Sequence, residues 1–457
     1  MNARFDLVIA GGTVVSQTGT CRLDLGISGG KITALEPSIA ADAGERIEAT
    51  GLHLFPGLID SHVHFNEPGR QTWEGFASGS RALAAGGGTL FFDMPLNASP
   101  PTLDAKSFDL KLAAAKASSV LDFGLWGGLV PGNAGQMEDL AKRGVVGFKA
   151  FMSNSGIDDF PRADDDTLHE GMKRAADLGR LVAVHAEDEE LTSRLARVAA
   201  EQGQTSVRDY LLSRPVEAEL EAISRAMEMA SATGCALHVV HVSSGAGVAL
   251  ITRARQQGVD VTCETCPHYL ALTEEDMVEL GAVAKCAPPL RPASIRDELW
   301  NFILDEKITT IGSDHSPSPP SMKTDPNFFK VWGGISGIQH TLPLLITEGQ
   351  VNRGAALPLL SKVTSFNVAE RFGLGPAKGR IAIGADADLA LINLGHRFEP
   401  TAESLFYRHR QSPYLGRKLF GGIVRTIVGG ETVFQGGKIT STRSGRLIRP
   451  IQNPSKA

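Results

Sequence analysis

Eight short apolar segments along the middle of the chain constrain the fold more than any other feature of the sequence. Each has the composition of a buried strand, and they are HLFPGLIDSH, GTLFFDMP, LDFGLWGGL, VVGFKAFM, LVAVHAED, ALHVVHVSS, VDVTCETCP and ITTIGSDHS. Helical patterns such as FDLKLAAAKASSV lie between most of them. Strands that alternate with helices indicate a parallel sheet. The alternation alone does not separate an open, doubly wound sheet from a closed one, but a count of eight favours a (β/α)₈ TIM-like barrel.

The two ends of the chain share a different pattern, in which short strands are separated by glycine pairs. The segments FDLVIAGGTVV and LDLGISGGKITAL lie near the start, and ADADLALINL and VRTIVGGETVFQGGKIT lie near the end. Neither end is long enough to form a closed sheet by itself, so we expect the two to pair. The sequence therefore predicts a small β-sandwich composed of residues 1–55 and 376–457, which encloses the barrel of residues 56–375.

Composition excludes several classes of protein. The net charge of −6 provides no basic surface for nucleic acid. No stretch reaches the roughly 18 apolar residues of a membrane span, and the first residues lack an apolar signal segment. Five dispersed cysteines do not form a disulfide framework, so we expect reduced thiols in the cytoplasm and no nucleophilic cysteine. These are Cys21, Cys235, Cys263, Cys266 and Cys286.

Polar side chains that could bind a metal end five of the eight predicted strands. In a barrel of this type the carboxyl ends of the strands meet at one mouth, where active sites lie. Alternate residues of a strand point to the same side, so the two histidines of HVH converge on one spot. We expect a metal site at this mouth. Its candidate ligands are His62, His64, Lys149, His185, His241 and Asp314.

The remaining histidines lack this convergent setting. His238 and His315 should face away from the mouth, and His268 is expected to order a loop. We assign structural roles to the others, which are His53, His169, His340, His396 and His409.

Lys149 lies in an otherwise apolar strand, VVGFKAF, where a charged amine is costly to bury. One interpretation pairs it with a carboxylate. In the other, burial lowers the pKa of the amine, which then takes up carbon dioxide and becomes a carbamate that bridges two cations. Nitrogen and oxygen ligands without a thiolate suit two Zn²⁺ ions, with Mn²⁺ or Co²⁺ as alternatives.

These motifs resemble the cyclic amidohydrolase superfamily, which includes dihydroorotases, hydantoinases, dihydropyrimidinases and allantoinases. The resemblance rests on HVHFNEPG, the strand-four lysine, the two later histidines, SDHSP and GRIAIGADADLALI, and it covers essentially the whole chain. It implies that His62, His64 and Asp314 bind the more buried metal. His185 and His241 would bind the more exposed one, with carboxylated Lys149 as the bridge. It also implies that Asp314 is the general base and then the general acid, and that the assembly is a homotetramer.

The substrate is predicted from departures within this resemblance. Dihydroorotases carry an arginine for the substrate carboxylate where this chain has Asn66, and hydantoinases carry a tyrosine where it has Asn154. The segments HFNEPGR, DMPLNASPPT, FKAFMSNSGIDDF and WGGISGIQ are similar to those of allantoinases, which open the hydantoin ring of allantoin to give allantoate. The expected substrate is thus a small neutral cyclic ureide. Hydantoinase or dihydropyrimidinase, then dihydroorotase, remain alternatives, followed by a non-catalytic scaffold that has lost metal ligands.

The resemblance also implies substrate contacts in the loops at the mouth, some of them through main-chain atoms only. The candidate residues are Asn66, Ser153, Asn154, Gly156, Cys286 and Ser336.

Overall fold

The structure is a computed structural model that describes residues 4–451. Its strands fall into three groups along the chain. The first group is β1 (Phe5–Ala10), β2 (Thr13–Val15), β3 (Thr20–Arg22), β4 (Asp24–Ser28), β5 (Lys31–Glu36), β6 (Ala43–Glu48) and β7 (His53–Pro56). The second is β8 (Leu58–Val63), β9 (Gly88–Asp93), β10 (Asp122–Leu125), β11 (Gly127–Gly128), β12 (Phe148–Phe151), β13 (Val182–His185), β14 (Leu237–Val239), β15 (Val261–Thr265) and β16 (Thr310–Ile311). The third is β17 (Leu389–Phe398), β18 (Leu419–Val428), β19 (Glu431–Gln435) and β20 (Lys438–Ile439).

The first eleven described α-helices lie between strands of the second group, and the last three lie between β16 and β17. They are α1 (Phe76–Ala85), α2 (Ala105–Ser118), α3 (Met137–Arg143), α4 (Asp165–Asp177), α5 (Glu189–Glu201), α6 (Val207–Leu212), α7 (Val216–Thr233), α8 (Gly245–Gln256), α9 (Pro267–Ala271), α10 (Glu274–Leu280), α11 (Ala293–Leu304), α12 (Thr341–Leu345), α13 (Leu357–Ser361) and α14 (Asn367–Arg371). Among residues 4–451, none of them combines the length and the apolar character that a bilayer crossing requires.

The second group of strands forms a closed parallel barrel. Strand β9 pairs with β8 and with β10, and strands β11 to β16 pair with one another in chain order. Only Trp126 separates β10 from β11, and its backbone N–H donates to the backbone carbonyl of Asp93 at 3.1 Å. A parallel bridge between Val63 and His315 brings the last strand back to the first. The predicted (β/α)₈ barrel is therefore confirmed.

The barrel strands are apolar on both faces because helices cover the outside and side chains fill the inside. Every residue of β8 and β9 is buried. Aromatic rings fill the space between this part of the barrel and α1: Phe91 packs at 4.7 Å from Phe65 and at 6.1 Å from Phe76. Because Phe65 directly follows His64, this packing holds the end of the segment that carries HVH.

The two chain ends share one sheet, as predicted. Strand β17 pairs with β18 on one side and with β7 on the other, and β2 and β3 extend the sheet beyond β7. A second sheet has the order β5-β4-β1-β6. Side chains from both ends fill the core between these sheets, including Leu25, Leu54, Leu389 and Ile427. The β-sandwich is thus composite, while its division from the barrel at residues 55/56 and 375/376 stays a prediction.

Candidate metal centre

Three of the predicted ligands converge where β8 and the last barrel strand end. Nε2 of His62 lies 3.3 Å from Oδ1 of Asp314, and Nε2 of His64 lies 3.4 Å from the same oxygen. One ligand atom from each of these residues lies within 4.8 Å of the others. The alternation in β8 therefore brings both imidazoles to one carboxylate, which is an arrangement that suits a divalent cation.

A second pair of histidines lies beside this group. Nδ1 of His185 and Nε2 of His241 are 3.0 Å apart. The ring of His241 lies 5.5 Å from that of His62, so the two groups are adjacent. His241 and Asp314 both adopt left-handed backbone angles, with φ of 42° and 45°. Such angles are unfavourable for residues other than glycine and concentrate at functional sites.

Lys149 lies beneath the histidines and is fully buried. Its Nζ atom has no hydrogen-bond partner among the described residues and lies 5.1 Å above the ring of Phe151. Burial lowers the pKa of the amine to about 7, against the opposing attraction of Asp314 and Glu264. Much of the amine is therefore neutral near pH 7, and the neutral form is the one that reacts with carbon dioxide.

Two buried glutamates determine which ring nitrogen of His62 and of His185 carries the proton. Nδ1 of His62 lies 2.8 Å from Glu264, and Nε2 of His185 lies 2.8 Å from Glu187. Each histidine donates this N–H to its carboxylate, so the other ring nitrogen keeps its lone pair for a metal. In His62 this nitrogen faces Asp314, and in His185 it faces His241.

Burial alone would raise the pKa of Glu187, but Arg214 and then His185 lower it to about 2. The carboxylate is therefore ionised when it orients the imidazole. Sequence reasoning missed both glutamates. A signal exists for Glu187, which follows its histidine by two residues in HAE, whereas Glu264 is distant in sequence from His62.

The histidines and Asp314 open onto a cavity of about 460 Å³ at the barrel mouth. Among the predicted substrate contacts, Asn154, Gly156 and Cys286 line it. Ser153 and Ser336 lie behind the lining: the hydroxyl of Ser153 is buried without a hydrogen-bond partner among residues 4–451, and the carbonyl of Ser336 accepts a bond from Ser412.

Asn66 also lies behind the lining of this cavity. Its Nδ2 donates to the carbonyl of Pro317 at 3.2 Å, and its Oδ1 is buried without a hydrogen-bond partner in the described part of the chain. Its backbone is left-handed, with φ of 65°. Whether these residues contact substrate stays a prediction.

The histidines that were not predicted as metal ligands lie in different environments. His238 contacts Thr262 at 2.8 Å and packs on Phe372. His315 packs between Phe65 and Tyr407. Both ring nitrogens of His268 are buried without a hydrogen-bond partner among residues 4–451, and its role in ordering a loop stays a prediction. Four of the five cysteines are buried, and Cys21 is exposed.

Comparison with known proteins agrees with this geometry. The sequence profile of the Amidohydrolase family matches residues 53–433, so the chain belongs to that family. Its relatives include an allantoinase of Rubrobacter xylanophilus, 57% identical with 98% of each chain covered. They also include an allantoinase of Deinococcus radiodurans, 53% identical with 97% of this chain and 99% of the relative covered.

Solved structures show the same fold. The L-hydantoinase (dihydropyrimidinase) of Arthrobacter aurescens superimposes with a TM-score of 0.94 at 33% identity, over 97% of this chain and 99% of that one. A dihydropyrimidinase of Brevibacillus agri gives a TM-score of 0.91 at 31% identity, over 98% and 99%. The resemblance to cyclic amidohydrolases inferred from the sequence is confirmed.

Proposed function

We propose that this chain is an allantoinase, which hydrolyses an amide bond of the hydantoin ring of allantoin and yields allantoate. The observation that carries the proposal is the identity of 41–57% over nearly the whole chain to several curated allantoinases. Cyclic amide hydrolysis is also the chemistry that the names of the structural neighbours indicate.

We propose further that the site holds two divalent metal ions. The residues fit such a centre, because four buried imidazoles present free nitrogens beside a carboxylate and an amine without a partner among residues 4–451. His62, His64 and Asp314 would hold one ion, and His185 and His241 the other. Lys149 would bridge them as the carbamate formed with carbon dioxide. Bound ions of this kind activate a water molecule and polarise a carbonyl group.

The ligand types support Zn²⁺, with Mn²⁺ and Co²⁺ as alternatives. The buried thiols do not enter the proposed ligand set. Burial raises the pKa of Cys266 well above its ordinary value, which disfavours the thiolate that a soft metal site uses.

Asp314 is proposed to transfer the proton of the reaction. Burial raises the pKa of its carboxyl, but His62 and then His64 hold it well below its usual range, so the group is ionised at neutral pH. Its Oδ1 accepts a hydrogen bond from the hydroxyl of Ser316 at 2.9 Å, which fixes the orientation of the carboxylate. Asp314 would take the proton of the attacking water and return it to the leaving ring nitrogen.

The test is hydrolysis by metal-reconstituted enzyme of allantoin beside hydantoin, dihydrouracil and dihydroorotate. We expect the highest kcat/KM with allantoin. A clear preference for another substrate would reject the allantoinase assignment in favour of the cyclic amidase that uses it. Metal analysis of the same preparation should give two ions per chain, and a chain without metal would support the scaffold alternative.

Two further parts of the proposal concern the assembly and its location. The family resemblance supports a homotetramer, and five dispersed cysteines that do not suggest a disulfide framework support a cytoplasmic location. Light scattering coupled to size exclusion measures the assembly directly, and a mass near that of one 48.5 kDa chain would exclude a tetramer.

A further inference from the structure

A second cavity, of about 390 Å³, lies at the end of the barrel opposite the metal centre. It is lined where neighbouring strands begin, by residues just before β12, β13, β14 and β15. The segment after α14 and the last described residues form the other wall. The apolar part of the lining comes from Val146, Leu181, Phe372, Pro450 and Ile451.

Arg180, which lies on this lining, has an unusual environment. The residue is only 9% exposed, and no carboxylate of residues 4–451 lies within ion-pairing distance of it. Its Nε is buried without a partner, and one terminal nitrogen donates to the carbonyl of Gly179 at 3.3 Å. Burial lowers the pKa of the guanidinium, and no neighbouring charge opposes that effect.

Arg371, the second arginine of the cavity lining, differs from Arg180 because its charge is paired. Arg371 contacts a carboxylate oxygen of Asp260 at 2.5 Å and the carbonyl of Leu237 at 2.7 Å. Its charge is therefore balanced, and Asp260 is not available to Arg180. The other acid of the lining, Asp177, is exposed to solvent.

We propose that this cavity binds an oxyanion, a carboxylate or phosphate group, through Arg180. A guanidinium is a donor-only group whose planar fork matches two oxygens of such an anion. A buried cation without a counter-charge is energetically costly, and a bound anion removes that cost. The apolar wall accommodates a short hydrocarbon chain attached to the anionic group. The site is separate from the metal centre and does not depend on the proposed activity.

The experiment is calorimetric titration of the metal-loaded enzyme with sodium phosphate and, separately, with sodium butyrate at constant ionic strength. We expect wild type to bind one anion per chain that Arg180→Gln does not bind, or binds at least tenfold more weakly. The stronger of the two responses identifies inorganic phosphate or a carboxylate with a short apolar chain as the ligand class. An anion that binds at the metal centre contributes equally to both proteins and is subtracted.

Arg208→Gln is the matched control, because it removes the same charge from an exposed arginine that is paired with Glu275. It should bind the anion as wild type does. Identical isotherms for wild type and Arg180→Gln, including no binding by either, would overturn the proposal. If Arg180→Gln does not fold, Arg180→Lys keeps the charge but loses the fork, and wild-type affinity in that variant would overturn the proposal equally.

Discussion

Lys149 is the residue whose chemistry most changes the charge of the proposed metal centre. As an amine it is neutral or positive, and as a carbamate it is a negative bridge. We expect Lys149→Ala to lose metal and to reduce kcat/KM for allantoin by more than about 100-fold, because outer-shell partners of a metal site alone account for 10–100-fold. The measurements are metal content and steady-state kinetics.

Short-chain carboxylic acids should restore part of the activity of Lys149→Ala by occupying the position of the bridge. The double variant Lys149→Ala/Arg180→Gln separates this effect from binding at the second cavity, and rescue should survive in it. An alanine variant with two metals and wild-type turnover would exclude the carbamate.

Glu187 acts through His185, so its substitution should weaken the metal site without removing a ligand. Glu187→Gln keeps the shape of the side chain but leaves the charge of Arg214 unbalanced. We expect metal affinity to fall by about 10–100-fold, with activity recovered at high metal concentration. Glu190→Gln, on the exposed start of α5, is the control that should match wild type. Equal metal affinity for both variants would show that Glu187 does not orient His185.

Asn66 is the residue on which the distinction from dihydroorotases depends. Asn66→Arg should lower kcat/KM for allantoin, because the residue is only 1% exposed and an unpaired cation there is costly. Wild type should use dihydroorotate poorly, since an amide cannot provide the charge that a carboxylate needs. Unchanged turnover of allantoin in a folded Asn66→Arg enzyme would show that Asn66 does not face substrate. A melting curve of the variant distinguishes lost folding from lost specificity.

At the scale of elements, the loops at the barrel mouth are joined to one another through Arg70. One terminal nitrogen donates to the carbonyl of Asn97 at 3.1 Å, and the guanidinium lies 5.5 Å from the ring of Trp73. Trp73 in turn packs at 4.9 Å on Trp332, and both Asn97 and Trp332 line the cavity at the barrel mouth. Arg70 therefore contacts the loop after β9 directly and reaches the loop after β16 through Trp73.

We expect Arg70→Ala to raise KM for allantoin several-fold with a smaller change in kcat, because Arg70 positions the cavity wall and touches none of the proposed metal ligands. Arg70→Lys should restore little of the loss, since an ammonium cannot contact the carbonyl and the ring with the same planar group. Steady-state kinetics measure both parameters. A fall in kcat at constant KM would instead place the effect of Arg70 on the chemical step.

The barrel strands were predictable because each is buried on both faces and appears in the sequence as an apolar run. The convergence of the strand-end side chains was predictable for a related reason, since parallel strands end at one mouth. Glu264 could not be placed this way, because its partner His62 is about two hundred residues away in sequence and only closure of the barrel brings them together. The positions of the loop residues Asn66 and Ser153 depend on side-chain packing that no periodicity encodes.

At the scale of the whole molecule, a buried charge cluster ties the barrel to the C-terminal segments. Asp122 in β10 accepts bonds from Lys378 at 3.3 Å and from Arg443 at 2.8 Å. Burial raises the pKa of Asp122, but Lys378 and then Arg443 lower it, and the result is about 2. The ordinary value is 3.8, so the folded state favours the ionised form.

A lowered pKa in the folded state stabilises the protein above the unfolded value, and that stability is lost as the pH falls from about 4 to about 2. Asp122→Asn should lower the free energy of unfolding by about 2 kcal/mol at pH 7, which is the stabilisation that the lowered pKa represents at roughly 1.4 kcal/mol per unit. Lys378 keeps Asp386 and Asp388 as partners in the variant. The difference between variant and wild type should shrink across that acidic range. Chemical denaturation at several pH values measures it, and a difference that is independent of pH would show that the charge of Asp122 is not responsible.

The sheet shared by the two chain ends has a consequence for the order in which the protein is made. Strand β7 ends at Pro56 and is followed at once by the strand that carries His62, yet its partner β17 begins only at Leu389. At 5–20 residues per second, a ribosome needs on the order of half a minute to add the residues between them. During that interval the edge of β7 is unpaired while the barrel emerges. A nascent chain can therefore complete the sandwich, and fix the strand that carries His62 against it, only when its translation is nearly finished.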